Sequence, residues 1–150
     1  MEKTKAIYII VEGQTDAQIL HSLLDCSGYN SVYHIPAGSY NNLAPIARTI
    51  RLMKAPTESD DKIIVVFDSD TDKKDAIEDR IATMRYLTNA DFDNRIEVFC
   101  FVPTIEAYLF PPEYQKKRAS RNKLVEYLRQ HLIELQSKSV IKSMQAFINK

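Results

Sequence analysis

Short runs of β-branched and aromatic residues alternate along this chain with longer segments that have helical periodicity. The runs cover residues 6–12, 31–37, 62–68 and 95–103. Continuous apolar runs of this length are typical of strands that are buried on both faces of a parallel sheet. Because a helical segment follows each of the first three strands, the pattern predicts an α/β fold with a central, mainly parallel four-stranded sheet and helices on both faces.

Helical segments are predicted from apolar residues that recur at intervals of three and four. The first follows a cap at Thr15 or Asp16 and ends at Gly28, and the second and third span 41–55 and 72–87. The apolar face predicted for the second helix consists of Leu43, Ile46, Ile50 and Met53, with Pro45 in its first turn.

A C-terminal helical segment follows the last predicted strand. A short helix begins in "TIEAYLF" and stops at Pro111 and Pro112, and a longer helix spans about 118–135. Its apolar stripe consists of Leu124, Leu128, Leu132 and Leu135, and "SVIKSMQAFI" closes the chain.

The chain of 150 residues has the length of one domain. We divide that domain into a catalytic part, 1–112, and a basic C-terminal helical extension, 113–150. The net charge of zero conceals an asymmetry, since residues 1–114 hold 11 Lys/Arg against 18 Asp/Glu, and residues 115–150 hold 9 against 2. This distribution predicts one site for cations and one surface for anions, although a basic helix can also serve only solubility.

Localisation is predicted from what the sequence lacks. No apolar run has the length of a membrane span, and the first residues do not resemble a cleavable signal peptide. Cys26 and Cys100 are too few for a disulfide framework. We therefore expect a cytoplasmic protein that does not bind membranes.

Acidic residues follow the first and third strands. Glu12 ends the first strand, Asp68 ends the third, and Asp70 lies two residues later. Ligands of open parallel sheets bind beyond the carboxyl ends of the strands, so these carboxylates converge if the two strands are neighbours. Gly13 permits a tight turn that returns Asp16 to the same edge. A cluster of hard oxygen ligands predicts a site for Mg²⁺ or Mn²⁺.

The acidic loop has other interpretations. Asp70, Thr71 or Asp72 can simply cap the third helix, but a cap does not account for Glu12 or Asp68. A calcium loop of the EF-hand type is excluded because its glycine position holds Lys73 and a strand precedes it. A phospho-acceptor receiver domain stays as a weaker alternative, since it needs a pair of acids after the first strand.

"IYIIVEGQTD" together with "IIVVFDSDTD" resembles the Toprim domain, which is shared by topoisomerases, bacterial-type primases and OLD-family nucleases. The signature of that domain is a glutamate after the first strand and an Asp-x-Asp after the third. "PAGSYNNL" and "VPTIEAYLF" further resemble small Toprim proteins grouped with the OLD nucleases, which are often encoded beside ATPases in phage-defence loci. The resemblance covers about residues 5–110.

The resemblance implies a Rossmann-like fold and a nuclease that hydrolyses DNA with one or two Mg²⁺ or Mn²⁺ ions. It makes Glu12, Asp68 and Asp70 the catalytic residues, and it adds Asp16 and Glu106 as further metal ligands. It also implies an ATPase partner in an anti-phage complex. One departure is "AGSY" in the second-strand segment, where the family pattern has a glycine and a lysine. A cationic contact to phosphate is therefore missing at that position.

Two places are predicted to contact nucleic acid. The basic stretch "KKRASRNK" can hold DNA phosphates without reading sequence, and its cations are Lys116, Lys117, Arg118, Arg121 and Lys123. Gly38, Ser39 and the start of the second helix can add a neutral anion contact, although Ser39 is more simply a helix cap. Two other functions stay open beside the nuclease: a nucleotidyl-transfer or topoisomerase-like protein, and a Toprim-fold binding module that no longer cuts. The oligomeric state, including a homo-oligomer, also stays open.

Overall fold

A computed structural model describes residues 5–54, 60–116 and 120–150 of the chain. The strands within these residues are β1 (Ala6–Val11), β2 (Ser31–Pro36), β3 (Lys62–Asp68) and β4 (Ile96–Phe101). They form a single four-stranded sheet in the order β2-β1-β3-β4, and each neighbouring pair is parallel. The predicted α/β fold is therefore confirmed, and β1 and β3 are neighbours at the centre of a Rossmann-like sheet.

The helices connect these strands and continue beyond them. Within the described ranges they are α1 (Gln14–Leu23), α2 (Leu43–Lys54), α3 (Lys74–Thr88), α4 (Ile105–Leu109), α5 (Pro112–Lys116), α6 (Arg121–Gln130), α7 (Leu132–Gln136) and α8 (Ser139–Ile148). A 3₁₀ turn, Tyr40–Asn42, leads into α2. None of these helices has the length and apolar character needed to cross a membrane.

Helices cover both faces of the sheet because the side chains of each strand alternate between the faces. On one face, Ile7, Ile9 and Val11 of β1 share a buried core with α1, α4 and α6–α8. On the other face, Ile10 packs with residues of α2 and α3. The extension after residue 112 thus contributes Leu128, among other side chains, to the core that covers β1.

Three local details of the first helices differ from the prediction. Helix α1 begins after Gly13 and ends at Leu23, so neither of the predicted caps, Thr15 and Asp16, begins it, and Gly28 does not end it. Helix α3 begins after Lys73, without a side-chain hydrogen bond at its cap, so none of the three candidate caps serves there. Helix α2 packs through Ala44 and Ala47, which let its backbone approach the sheet, and it leaves Met53 74% exposed.

The C-terminal segment also departs from the single helix that we expected over 118–135. The helix is interrupted at His131, whose φ of −117° and ψ of 23° lie outside the helical region. Helix α6 ends before this residue and α7 begins after it. The predicted leucine stripe nonetheless faces the core, with Leu124, Leu128 and Leu135 buried and Leu132 packed against them. Pro111 ends the preceding helix as predicted, whereas Pro112 starts α5 because proline suits a first helical position.

Candidate metal centre

Glu12 and Asp68 lie at the carboxyl ends of the two central strands. The parallel register that pairs Ile10 with Val65 brings Glu12 beside the last residues of β3. There Glu12 Oε2 accepts a hydrogen bond from the backbone N–H of Asp68 at 3.4 Å. Asp68 Oδ1 in turn accepts from the backbone N–H of Ile105 at 2.9 Å. The two carboxylates are therefore held at one edge of the sheet by backbone donors.

Two further acids reach this edge from the first turns of helices. Asp16 Oδ2 accepts from the backbone N–H of Gly13 at 3.2 Å, which holds the start of α1 against the end of β1. Glu106 lies in the first turn of α4, whose cap Thr104 accepts a hydrogen bond from Ala107. The chain turns from β1 into α1 within two residues, as predicted, but Gly13 has a φ of −130°, an extended conformation open to any residue.

Asp70 follows in a loop with an unusual backbone. Its φ of +56° lies in the left-handed region, which aspartate tolerates better than most residues. The loop is fastened to the segment after β4, since Ser69 N donates to Phe101 O and Asp70 N donates to Pro103 O, both at 2.9 Å. The exposed Asp70 side chain is thus presented at the same sheet edge by a backbone that neighbouring elements constrain.

The acids influence one another's ionisation. The pKa of Asp68 is raised to about 7, first by burial and then by the nearby charges of Asp16, Glu106 and Glu12. Burial likewise raises the pKa of Asp16 to about 6, with the charge of Glu106 as the next cause. The pKa of Glu12 is also raised, first by burial, and Asp70 contributes to that rise. All five acids therefore belong to one electrostatically coupled group.

The donor set of this group consists of carboxylate oxygens, which are the ligands that Mg²⁺ and Mn²⁺ prefer. Across 5–54, 60–116 and 120–150, no three or more histidine, cysteine, aspartate or glutamate side chains are arranged to hold an ion as they stand. Asp16, Asp68 and Glu12 instead accept the backbone hydrogen bonds described above. Ion binding would thus require side-chain rotation toward a common point, which a cation favours by neutralising the repulsion.

Arg80 of α3 lies beside the acids, and the sequence interpretation missed it. Its guanidinium Nη1 donates to the backbone carbonyl of Ser69, a fully buried residue in the loop after β3. The charge of Arg80 lowers the pKa of Glu12, which opposes the effect of burial. A signal was present, because Arg80 occupies the stripe of α3 that also carries Ile77 and Met84. An arginine on an otherwise apolar helix stripe suggests a specific partner.

Gly38 is not available for the anion contact that we expected of it. Its φ of +89° is left-handed, and its backbone N–H donates to the carbonyl of Glu12 at 2.9 Å. Ser39 caps the 3₁₀ turn through its position alone, with no hydrogen bond from its side chain. The Gly38 N–H therefore supports the backbone of the metal candidate Glu12, and an anion contact from Ser39 and the start of α2 stays a prediction.

The basic stretch predicted to bind DNA falls partly outside the described residues. Lys117 and Arg118 lie there, whereas Lys116 ends α5 and Arg121 starts α6. Lys123 is exposed on α6, and its backbone N–H donates to the cap residue Ser120. Helix α5 follows α4, which carries Glu106. The basic stretch is therefore close in sequence to the acidic edge.

Comparison of the chain with protein-family models and with curated proteins finds no match. The chemistry of the edge must therefore be argued from its own residues. These are five carboxylates in one coupled group, with one arginine beside them.

Proposed function

We propose that the protein is a divalent-metal-dependent nuclease that hydrolyses phosphodiester bonds of DNA, with Glu12, Asp68 and Asp70 as catalytic residues. The observation that carries the proposal is the convergence of the acids that follow β1 and β3 with Asp16 and Glu106 at one sheet edge. The resemblance of "IVEGQTD" and "FDSDTD" to the Toprim signature agrees with this arrangement of acids.

The charge of the group supports a cation more than it supports a purely structural role. Close carboxylates destabilise a folded protein unless a cation or a proton compensates them, and burial raises the pKa of Asp68 to about 7. A protein that kept these acids only for folding would gain stability by losing them. A bound Mg²⁺ or Mn²⁺ ion would supply a nucleophilic water and stabilise the leaving oxygen.

The protein's own residues have distinct tasks in this proposal. Asp68, at the end of β3, and Glu12, which follows β1, would hold the ion, and Asp16 and Glu106 would extend the ligand set to one or two ions. Asp70, on its constrained loop, presents a carboxylate at the exposed side of the edge. The cations of the basic stretch hold DNA phosphates by charge alone. An ATPase partner in anti-phage defence remains part of the proposal, and the resemblance alone supports it.

The experiment is cleavage of supercoiled plasmid in Mg²⁺ or Mn²⁺ by the wild type and by Glu12→Gln. Glutamine has nearly the same size as glutamate, but its neutral amide is a poorer ligand and cannot accept a proton from water. We expect cleavage by the wild type and its loss in Glu12→Gln, with unchanged circular dichroism. Each protein is also assayed with the product of any neighbouring ATPase gene.

Three results would contradict the proposal in different ways. Equal cleavage by wild type and Glu12→Gln would place the activity at another site or in a contaminant. Metal binding by the wild type without cleavage, under every condition tested, would favour the Toprim-fold binding module. Incorporation of labelled nucleotide would instead favour the nucleotidyl-transfer alternative.

A further inference from the structure

We propose that Arg80 is a substrate-binding residue that holds a phosphate group of DNA at the acidic edge, on the side of the sheet covered by α3. This inference rests on the proposed nuclease function and deepens it, because it assigns a contact to the substrate of that same site. It concerns a residue outside both the carboxylate group and the basic stretch.

The position of the Arg80 guanidinium is set by the backbone that also sets the acids. Nη1 donates to the carbonyl of Ser69, which lies between Asp68 and Asp70. The backbone of Arg80 is held as well, because Tyr40 Oη donates to its carbonyl at 3.4 Å. The same guanidinium influences the ionisation of Glu12, Tyr40 and Cys100. A half-buried cation is thus fixed beside the carboxyl ends of β1 and β3.

The hydrogen-bonding capacity of Arg80 is mostly unused. In the part of the chain that the structure describes, its guanidinium makes one hydrogen bond, through Nη1, and no ion pair. A guanidinium has several further N–H donors in a planar fork that matches two oxygens of a phosphate. Arg85, on the same helix, contrasts with it, because it is ion-paired with Asp91 and Glu97.

An arginine that lies close to Glu12 and forms no ion pair within the described residues calls for a physical reason. A purely structural arginine at this place would be expected to pair with the nearest acid, as Arg85 does. Its hydrogen bond to the Ser69 carbonyl instead keeps the cation close to Glu12 without forming an ion pair with it. Such an arrangement lets carboxylates hold a cation while the guanidinium holds the phosphate that the cation also attracts. The acidic edge alone repels phosphate, so this contact lowers the barrier to DNA binding.

The test measures DNA binding without turnover. Anisotropy of a short fluorescein-labelled single-stranded DNA is followed in Ca²⁺, for wild type, Arg80→Gln, Arg80→Lys and the matched control Arg85→Gln. We expect Arg80→Gln to weaken binding about tenfold, as loss of a charge-assisted hydrogen bond does, and to reduce the slope of log K against log salt by about 0.7, the value for one phosphate contact on single-stranded DNA. Arg80→Lys should fall between, and Arg85→Gln should match the wild type.

Two further measurements separate this inference from its premise. Calorimetric binding of Mn²⁺ should be as tight in Arg80→Gln as in the wild type, because Arg80 is not a metal ligand. Thermal unfolding reports whether each variant folds. If Arg80→Gln does not fold, the DNA binding of Arg80→Lys still tests the role of Arg80. Arg80→Gln could lose DNA binding while neither the wild type nor any variant cleaves plasmid. That result would keep Arg80 as a DNA-binding residue and overturn only the proposed nuclease activity. Equal binding by wild type and Arg80→Gln, or no binding by wild type, overturns the role of Arg80.

Discussion

Replacement of Asp68 by asparagine should stabilise the metal-free protein. Asparagine keeps an acceptor oxygen for the Ile105 N–H, which Asp68 Oδ1 accepts at 2.9 Å, and it removes the charge. The pKa of Asp68 rises from 3.8 to about 7 on folding. A rise of about 3 units corresponds to about 4 kcal/mol at full strength. Because Asp68 is partly exposed and water screens its charge, we expect a gain of about 1–2 kcal/mol.

The dependence on pH follows from the direction of the shift. Since the folded protein binds the Asp68 proton more tightly than the unfolded chain does, stability falls as pH rises from about 4 to about 7. Above that range the Asp68 carboxylate is ionised in both the folded and the unfolded state, and stability falls no further through this group. The gain in free energy of unfolding from Asp68→Asn should therefore be largest near pH 8 and smaller near pH 5. It should be absent at a pH where Asp68 is protonated in both the folded and the unfolded wild type.

The assay is thermal unfolding with a chelator and with Mn²⁺. Without metal at pH 8, Asp68→Asn should melt about 3–6 °C above the wild type. Added Mn²⁺ should raise the melting temperature of the wild type but not of the variant, because ligand binding to the folded state stabilises it. Asp72→Asn, the same change at an exposed residue of the same loop, should stay within about 0.5 kcal/mol of the wild type.

The reasoning fails if metal-free Asp68→Asn is less stable than the wild type at pH 8. The hydrogen bond from Ile105 would then outweigh the repulsion among the acids. A wild-type melting temperature that does not respond to Mn²⁺ would contradict the metal site itself.

Two other predictions concern the C-terminal part of the chain. Glutamate in place of the basic-stretch cations should weaken DNA binding about equally for every DNA sequence and flatten the dependence of binding on salt. An unchanged salt slope would mean that this surface contacts solvent or a protein partner instead. The residues to change are Lys116, Lys117, Arg118 and Arg121. Met144→Ala should lower the free energy of unfolding by about 2–5 kcal/mol in urea titration, because Met144 is fully buried in the core that covers β1. A loss below about 1 kcal/mol would mean that α8 contributes little to that core.

The sheet and its acidic edge could be predicted because their signals are local or depend on a general rule of topology. Apolar runs identify β1 and β3, and helices between strands require parallel crossover connections. Once these two strands are adjacent, Glu12 and Asp68 must meet, since both end their strands. The main fold and the convergence of the acids thus follow from sequence periodicity.

Other features depended on contacts between residues that are distant in sequence. The exposure of Met53 was set by how closely Ala44 and Ala47 approach the sheet, which helical periodicity does not specify. The cap of α3 was decided by the loop after β3, where the segment after β4 accepts the N–H groups of Ser69 and Asp70. Local sequence favoured an aspartate cap, but backbone hydrogen bonds across the sheet edge left Lys73 at that position.

Arg80 illustrates the difference best. Its sequence position places it on an apolar stripe of a helix, and nothing in the neighbouring residues names its partner. Only the packing of α3 on the sheet carries the guanidinium to the Ser69 carbonyl, beside acids that lie ten or more residues away in sequence. Sequence periodicity therefore determined which elements form and where the carboxylates gather. The tertiary structure decided which cation stands beside them, because that contact depends on the distance between packed elements.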